Sequence, residues 1–397
     1  MYVRGVCTTA LVLLIGIGGL ERRAALADEA ECYGDLNADG ERGLADVATL
    51  LGHYGATGAA YEDGDLDGDA DVDLTDLAQL LGVYGEPCPI AQVVVPGGTF
   101  EMGDPWNEGG IDERPVHAVS LDGFQIFRYA VTNQQYAVAL NWARKQGGLI
   151  TVADNVVYQA GSGTDFPYCA LANPYDASRI TWDGARFGVT PGKEHHPMTY
   201  VSWYGAAAYC NWRSAMEGRE LCFDPATWVC DFSKDGYRLP TEAEWEKAAG
   251  WDPVQQRHYR YGEHSDGCGY NCLDGQRANY GTSGDPYEDG PSPKTTPVGF
   301  YDGGLHEGFQ TQDAQSYYGC YDMSGNQWEW CYDWYSSSYY SESPTSNPTG
   351  PESGTARVQR GGAWDYHVYN LRSANRTSSL PSSHYAIYGF RCAASGS

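Results

Sequence analysis

Two sets of oxygen-bearing side chains, thirty residues apart, are the first places in this 397-residue chain where residue type and spacing suggest chemistry. Asp35, Asn37, Asp39, Glu41 and Asp46 recur as Asp65, Asp67, Asp69, Asp71 and Asp76. Oxygen side chains at loop positions 1, 3, 5 and 12, with a backbone carbonyl at position 7 (Glu41 or Asp71), are what a hard cation of flexible coordination such as calcium requires. After each loop, apolar residues return at helical spacing, Val47, Leu50, Leu51 and Tyr54, then Leu77, Leu80, Leu81 and Tyr84. Gly55 or Gly85 then stops the helix. A solvated acidic linker would not hold two such periods in register. No Gly-x-Ser-x-Gly elbow, Gly-rich phosphate loop or His-Glu-x-x-His pair occurs. His195-His196-Pro197 reads as the start of a strand rather than a ligand cluster.

The elements that must position these residues follow from composition and punctuation. Lys plus Arg number 25 against 52 Asp plus Glu, a formal charge of −27, so nucleic acid would be repelled and is not an expected partner. Hydrophobic residues make up 42% of the chain, enough for a core, and 50 glycines with 31 tyrosines suggest a loop-rich fold. Arg4, the apolar run Ala10 to Leu20 and the small residues Ala24, Ala25 and Ala27 form a secretory-signal pattern, with cleavage expected after Ala27. That run is too short to cross a bilayer and no later stretch is long enough, so no membrane span is expected. The mature chain is expected to be secreted or at the cell surface, where its cysteines would pair. The expected organisation is residues 1–27 signal, 28–89 calcium repeat and 90–397 one large domain.

In the large domain, Val93-Val94-Val95 and Phe124 to Tyr129 read as short strands, and helices are predicted over Asn133 to Arg144, Tyr204 to Met216 and Glu242 to Ala249. Thr241-x-x-Glu244 is a capping box for the third. Residues 250 to 320 carry no sustained period and predict irregular structure. The fold class is α+β.

The loop-and-helix pair resembles the dockerin duplication over about residues 32 to 88. That resemblance implies a tether with a cohesin-like or cell-surface partner. Ala70 stands at loop position 6, where glycine is expected, so the second loop would be strained. Cys32 and Cys88 bracket the unit and would staple it.

Val131-Thr132-Asn133, His196-Pro197, Val201-Ser202-Trp203, Tyr237 to Glu246, Asp322 to Trp330, Arg360 to Trp364 and Gly389-Phe390-Arg391-Cys392, in that order, resemble the formylglycine-generating enzyme, or sulfatase-modifying factor, family. The resemblance implies that family's C-type-lectin-like fold. It also implies a Cys210–Cys392 disulfide, and calcium held by Asp322, Gly325, Gln327 and Glu329, the middle two through the backbone, with a second site at Asn279, Tyr280, Asp289 and the Pro291 carbonyl. Cys222 with Cys230, Cys268 with Cys272, and Cys320 with Cys331 are plausible local bridges, leaving Cys169 over.

Family enzymes oxidise a substrate cysteine to formylglycine through two cysteines that hold copper(I), a soft ion suited to thiolates. Those cysteines follow the Gly-Gly turn, and here Trp364 to Arg376 contains none. No copper is therefore expected. The ergothioneine-type branch is also set aside, since no matching iron-binding segment precedes the domain. Residues 364 to 388 are instead rich in Trp, Tyr, His, Asn and Ser, a composition of binding surfaces. Trp328, Trp364, Asp365, Tyr366, His367, Tyr369, Arg372 and Tyr385 are the candidate contacts for a protein or glycan ligand. The expectation from sequence is an exported recognition module without the family oxidation; the alternative is a protein-modifying oxidoreductase.

Overall fold

The structure is a computed structural model that describes residues 32–37, 42–173, 177–263, 273–306 and 308–396. The signal pattern, Asp39, Glu41, Cys268 and Cys272 lie outside the described residues.

Each unit of the repeat builds one helix, Leu44–Gly52 and Leu74–Val83. The last carboxylate of each loop ties it closed. Asp46 accepts the amides of Leu36 at 2.8 Å and Gly43 at 2.7 Å, and Asp76 accepts those of Leu66 at 2.7 Å and Asp73 at 2.8 Å. Both carboxylates are fully buried. The helices meet through Leu50 and Leu80, whereas Leu51, Tyr54, Leu81 and Tyr84 are exposed. The apolar period thus marks two faces, one packed and one turned outward. Ala70 adopts φ 71°, the left-handed conformation that its loop position demands, at a cost of about 1 kcal/mol for a residue with a Cβ. Cys32 and Cys88 form a disulfide across 5.0 Å between Cα atoms.

The large domain starts its helices with caps that are readable in the sequence. Thr132 Oγ accepts from Gln135 N while Gln135 returns a bond to Thr132 N, so Asn133–Gln146 begins where a capping box would place it. Ser202 caps Trp203–Met216, and Thr241 with Glu244 caps Glu242–Gly250. His196-Pro197 is not in a strand; Pro197 makes one isolated bridge to Thr132. His196 is buried, with Nδ1 3.1 Å from Thr295 Oγ1. Burial, with the nearby Lys193 charge, pulls its pKa to about 3 and keeps it neutral.

Two four-stranded sheets share the end of the chain. One runs Gln92–Val95, Phe124–Phe127, Ala393–Ser395, Tyr237–Arg238; the other runs Arg376–Ser379, Arg357–Arg360, Trp328–Trp334, Tyr388–Gly389. The last pair of the second sheet is parallel. Between Gly389 and Ala393 the chain therefore crosses from one sheet to the other. Cys392 reaches the helix Trp203–Met216 there, its sulfur 3.4 Å from Cys210 Sγ. Neither that pair nor the expected pairs Cys222 with Cys230 and Cys320 with Cys331 is bonded; all six are buried thiols, as is Cys169. Residues 250 to 320 contain only two-residue strands among the described residues, which agrees with their lack of period.

Candidate functional site

The turn from Asp322 to Glu329 joins the sheets to the irregular region. Asp322 and Asn326 have φ of 57° and 65°, and Gly325 of 92°. A Cβ on Gly325 would sit 2.2 Å from Asn279 O, so only glycine allows the two segments to touch. The contact is sealed by Asn326 N donating to Asn279 O at 2.9 Å. The residues expected to hold cations are thus neighbours, but their oxygens are differently employed. Glu329 receives both Nε and Nη2 of Arg391, at 2.7 and 2.8 Å, and the Trp245 indole N–H at 2.8 Å. Its charge is matched by a guanidinium. Asp322 accepts Gly299 N at 2.7 Å, and burial lifts its pKa to about 6. Gln327 is buried, its side chain where a Cβ on Gly389 would go. In the second set Asn279 donates to Lys294 O, Tyr280 donates to Leu273 O, and Asp289 is exposed. The carbonyls of Pro291 and Ser292 accept from Arg179, each at 3.2 Å. The buried acid of that region is Asp285, which sequence reasoning missed; it bonds Ser283 Oγ and Tyr287 N.

The segment after the Gly-Gly turn divides into an inner and an outer set. Trp328 is buried and meets Tyr366 edge to face at 5.4 Å between ring centres. Burial and the neighbouring Asp365 charge raise the Tyr366 pKa, while the Trp328 N–H lowers it. Asp365, Tyr366, His367 and Tyr385 are exposed, and Trp364 is partly so, its Nε1 donating to Ala386 O. Burial raises the Asp365 pKa. Tyr369 donates to Glu108 O. Arg372 is not on that face. It is fully buried and clamped by Glu113 through bonds of 2.7 and 2.8 Å. The outer face therefore offers phenols, an indole, an imidazole and one carboxyl whose proton is held more tightly than usual.

A sulfatase-modifying factor enzyme 1-like domain model matches residues 86–395. The chain belongs to that family. A formylglycine-generating enzyme from Streptomyces coelicolor is 35% identical over 76% of this chain and 88% of that enzyme. A hercynine oxygenase from Mycolicibacterium smegmatis is 28% identical over 76% of this chain and 60% of that protein. Among solved structures, PvdO from Pseudomonas aeruginosa is similar with a TM-score of 0.51, 24% identity, and coverage of 78% of this chain and 95% of that one. The fold is that of the formylglycine-generating enzymes. These relatives overturn the expectation of a recognition module that does not oxidise. The family contains enzymes named for two different oxidations, so loss of one pair of thiols removes one centre, not oxidation as a class.

Proposed function

We propose that this chain is an oxidative modifying enzyme of the sulfatase-modifying-factor family. The observation that carries the reading is identity of 35% extending over 88% of a formylglycine-generating enzyme. A two-thiolate copper(I) centre does not fit the segment Trp364 to Arg376, which offers oxygen and nitrogen donors and no sulfur. No step is assigned to copper here. What the chain itself supplies is a face that orients a substrate. Tyr366 is fixed by Trp328 behind it, and Asp365 beside it holds a proton to higher pH than an ordinary carboxyl.

The test is oxygen uptake by the purified chain with a reducing thiol and cysteine-containing peptides, the Cys-x-Pro-x-Arg type included, followed by hydrazide capture and mass spectrometry. Peptide-dependent oxygen uptake with an oxidised peptide product, a carbonyl in place of a thiol being one form of it, is the expected outcome. No uptake and no mass change across the peptide set would overturn the reading.

The repeat supports two further parts of the proposal, calcium and a tether. Carboxylate oxygens of Asp65, Asp67 and Asp76 lie within 4.8 Å of one another, as do those of Asp71, Asp73 and Asp76. Amides keep Asp76 ionised by lowering its pKa. Calcium added to the chain should raise its melting temperature and chelator should reverse this; Asp76→Ala should lose at least one calcium by titration calorimetry. The exposed pairs Leu44 with Leu74, Leu51 with Leu81 and Tyr54 with Tyr84 present the same apolar surface twice, as a tethering unit for an exported protein would.

A further inference from the structure

The repeat meets the large domain at a seam that holds a cleft of about 310 Å³. The repeat contributes Arg42, just before the helix Leu44–Gly52, and Tyr84, Glu86 and Pro87, just after the helix Leu74–Val83. The large domain contributes Val138, Trp142 and Lys145, whose spacing puts them on one face of the helix Asn133–Gln146. Met216 closes the end from the helix Trp203–Met216. The walls are fastened from both sides. Gly85 N donates to Arg42 O at 2.8 Å, which joins the two repeat units. Arg213 Nη2 donates to Cys88 O, beside the Cys32–Cys88 disulfide.

Arg42 is the poorly compensated member of this seam. It is only 8% exposed, yet its Nε has no acceptor among the described residues. Its ion pair with Glu86 Oε2 is 3.8 Å long, beyond hydrogen-bond reach, and the Glu86 side chain is 66% exposed and therefore largely hydrated. A guanidinium buried with so weak a partner carries a desolvation cost that an anion in the cleft would offset. Tyr84 and Trp142 are partly exposed at the cleft, and neither ring is covered by another ring or a cation among the described residues.

We propose that this seam cleft binds a small aromatic carboxylate. The Nε and Nη2 of a guanidinium meet both oxygens of a carboxylate in parallel, and in Arg42 that edge is the one left without an acceptor. Trp142 and Tyr84 offer flat apolar surface to the body of the ligand, and Val138 and Met216 extend it. The volume lies at the low end of small-molecule sites, which suits a ligand of one or two rings rather than a polypeptide segment. A cationic ligand would face Arg42 and Lys145, and a neutral one would leave the guanidinium as it is. An occupied cleft would also hold the repeat against the large domain, because both line it. The site goes beyond the oxidation proposed above and does not depend on it.

The experiment is titration calorimetry of the full chain at pH 7 with benzoate, phenylacetate and indole-3-acetate, each compared with its carboxamide. At least one acid should bind with Kd of about 1 mM or tighter, and at least tenfold more tightly than its amide. Arg42→Gln should weaken that acid at least tenfold. Glu86→Gln, at an exposed position, removes the competing carboxylate and should tighten binding at least twofold, which a purely structural Arg42 would not produce. Circular dichroism should be unchanged in both variants. Lack of binding by all three acids, equal affinity for each acid and its amide, or affinity unaltered in both variants would overturn the proposal.

Discussion

Asp333→Asn should make the chain more stable at pH 8 and flatten its stability profile between pH 4 and 8. Asp333 is buried on the strand Trp328–Trp334 and accepts Glu242 N at 2.8 Å, at the start of the helix Glu242–Gly250. Burial, reinforced by the Glu242 charge, pushes its pKa to about 8. In the unfolded chain the group ionises near pH 4, while in the folded chain it keeps its proton until about pH 8. Between those values the unfolded state binds fewer protons, so stability falls as pH rises, and the loss levels off above the folded pKa. Asparagine keeps the carbonyl that accepts Glu242 N and removes the titration. The expected gain at pH 8 is on the order of 3 kcal/mol, read from urea denaturation at pH 5, 6.5 and 8. A parallel shift at all three pH values would sink the assignment.

The second large effect concerns Arg391. Its guanidinium bonds both oxygens of Glu329, the carbonyls of Phe127 and Arg128 at 3.1 Å each, and Tyr321 O at 2.8 Å, all inside the protein. Arg391→Met would leave Glu329 buried beside the Trp245 N–H without its compensating cation. Removing one partner of such a pair costs about 3–5 kcal/mol, because the remaining charge is desolvated. Adding Glu329→Gln should recover much of the loss, since a carboxamide still accepts from Trp245 without carrying charge. Chemical denaturation of the two single variants and the double variant measures the coupling; strictly additive losses would contradict it.

These two residues mark the boundary of what the sequence discloses. Helix starts were legible because their determinants are local: Thr132 with Gln135, Ser202, and Thr241 with Glu244 each cap a helix within three residues of themselves. Family membership was legible from motifs that hold their order over most of the chain. The roles inside those motifs were not. Glu329 read as a calcium ligand and Arg372 as a surface contact, whereas Arg391 and Glu113 meet them from 62 and 259 residues away. Such pairings depend on tertiary approach, which no window of sequence contains. The repeat shows the same limit. Its period of apolar residues located both helices, yet it could not tell Leu50, which is buried, from Leu51, which is exposed. The functional expectation failed for a different reason: the absence of thiols from Trp364 to Arg376 bears on one oxidation centre, not on oxidation in general.

The passage of residues 389 to 393 from one sheet to the other has a consequence for biogenesis. Tyr388–Gly389 completes the second sheet, Ala393–Ser395 sits inside the first, and Arg391 fills the space between them. Neither sheet can reach its final form until this stretch has docked. Before it docks, Glu329 lacks its counterion and the strand Phe124–Phe127 is paired with Gln92–Val95 on one side only, so a partly folded chain presents an open edge of the kind that holding chaperones recognise.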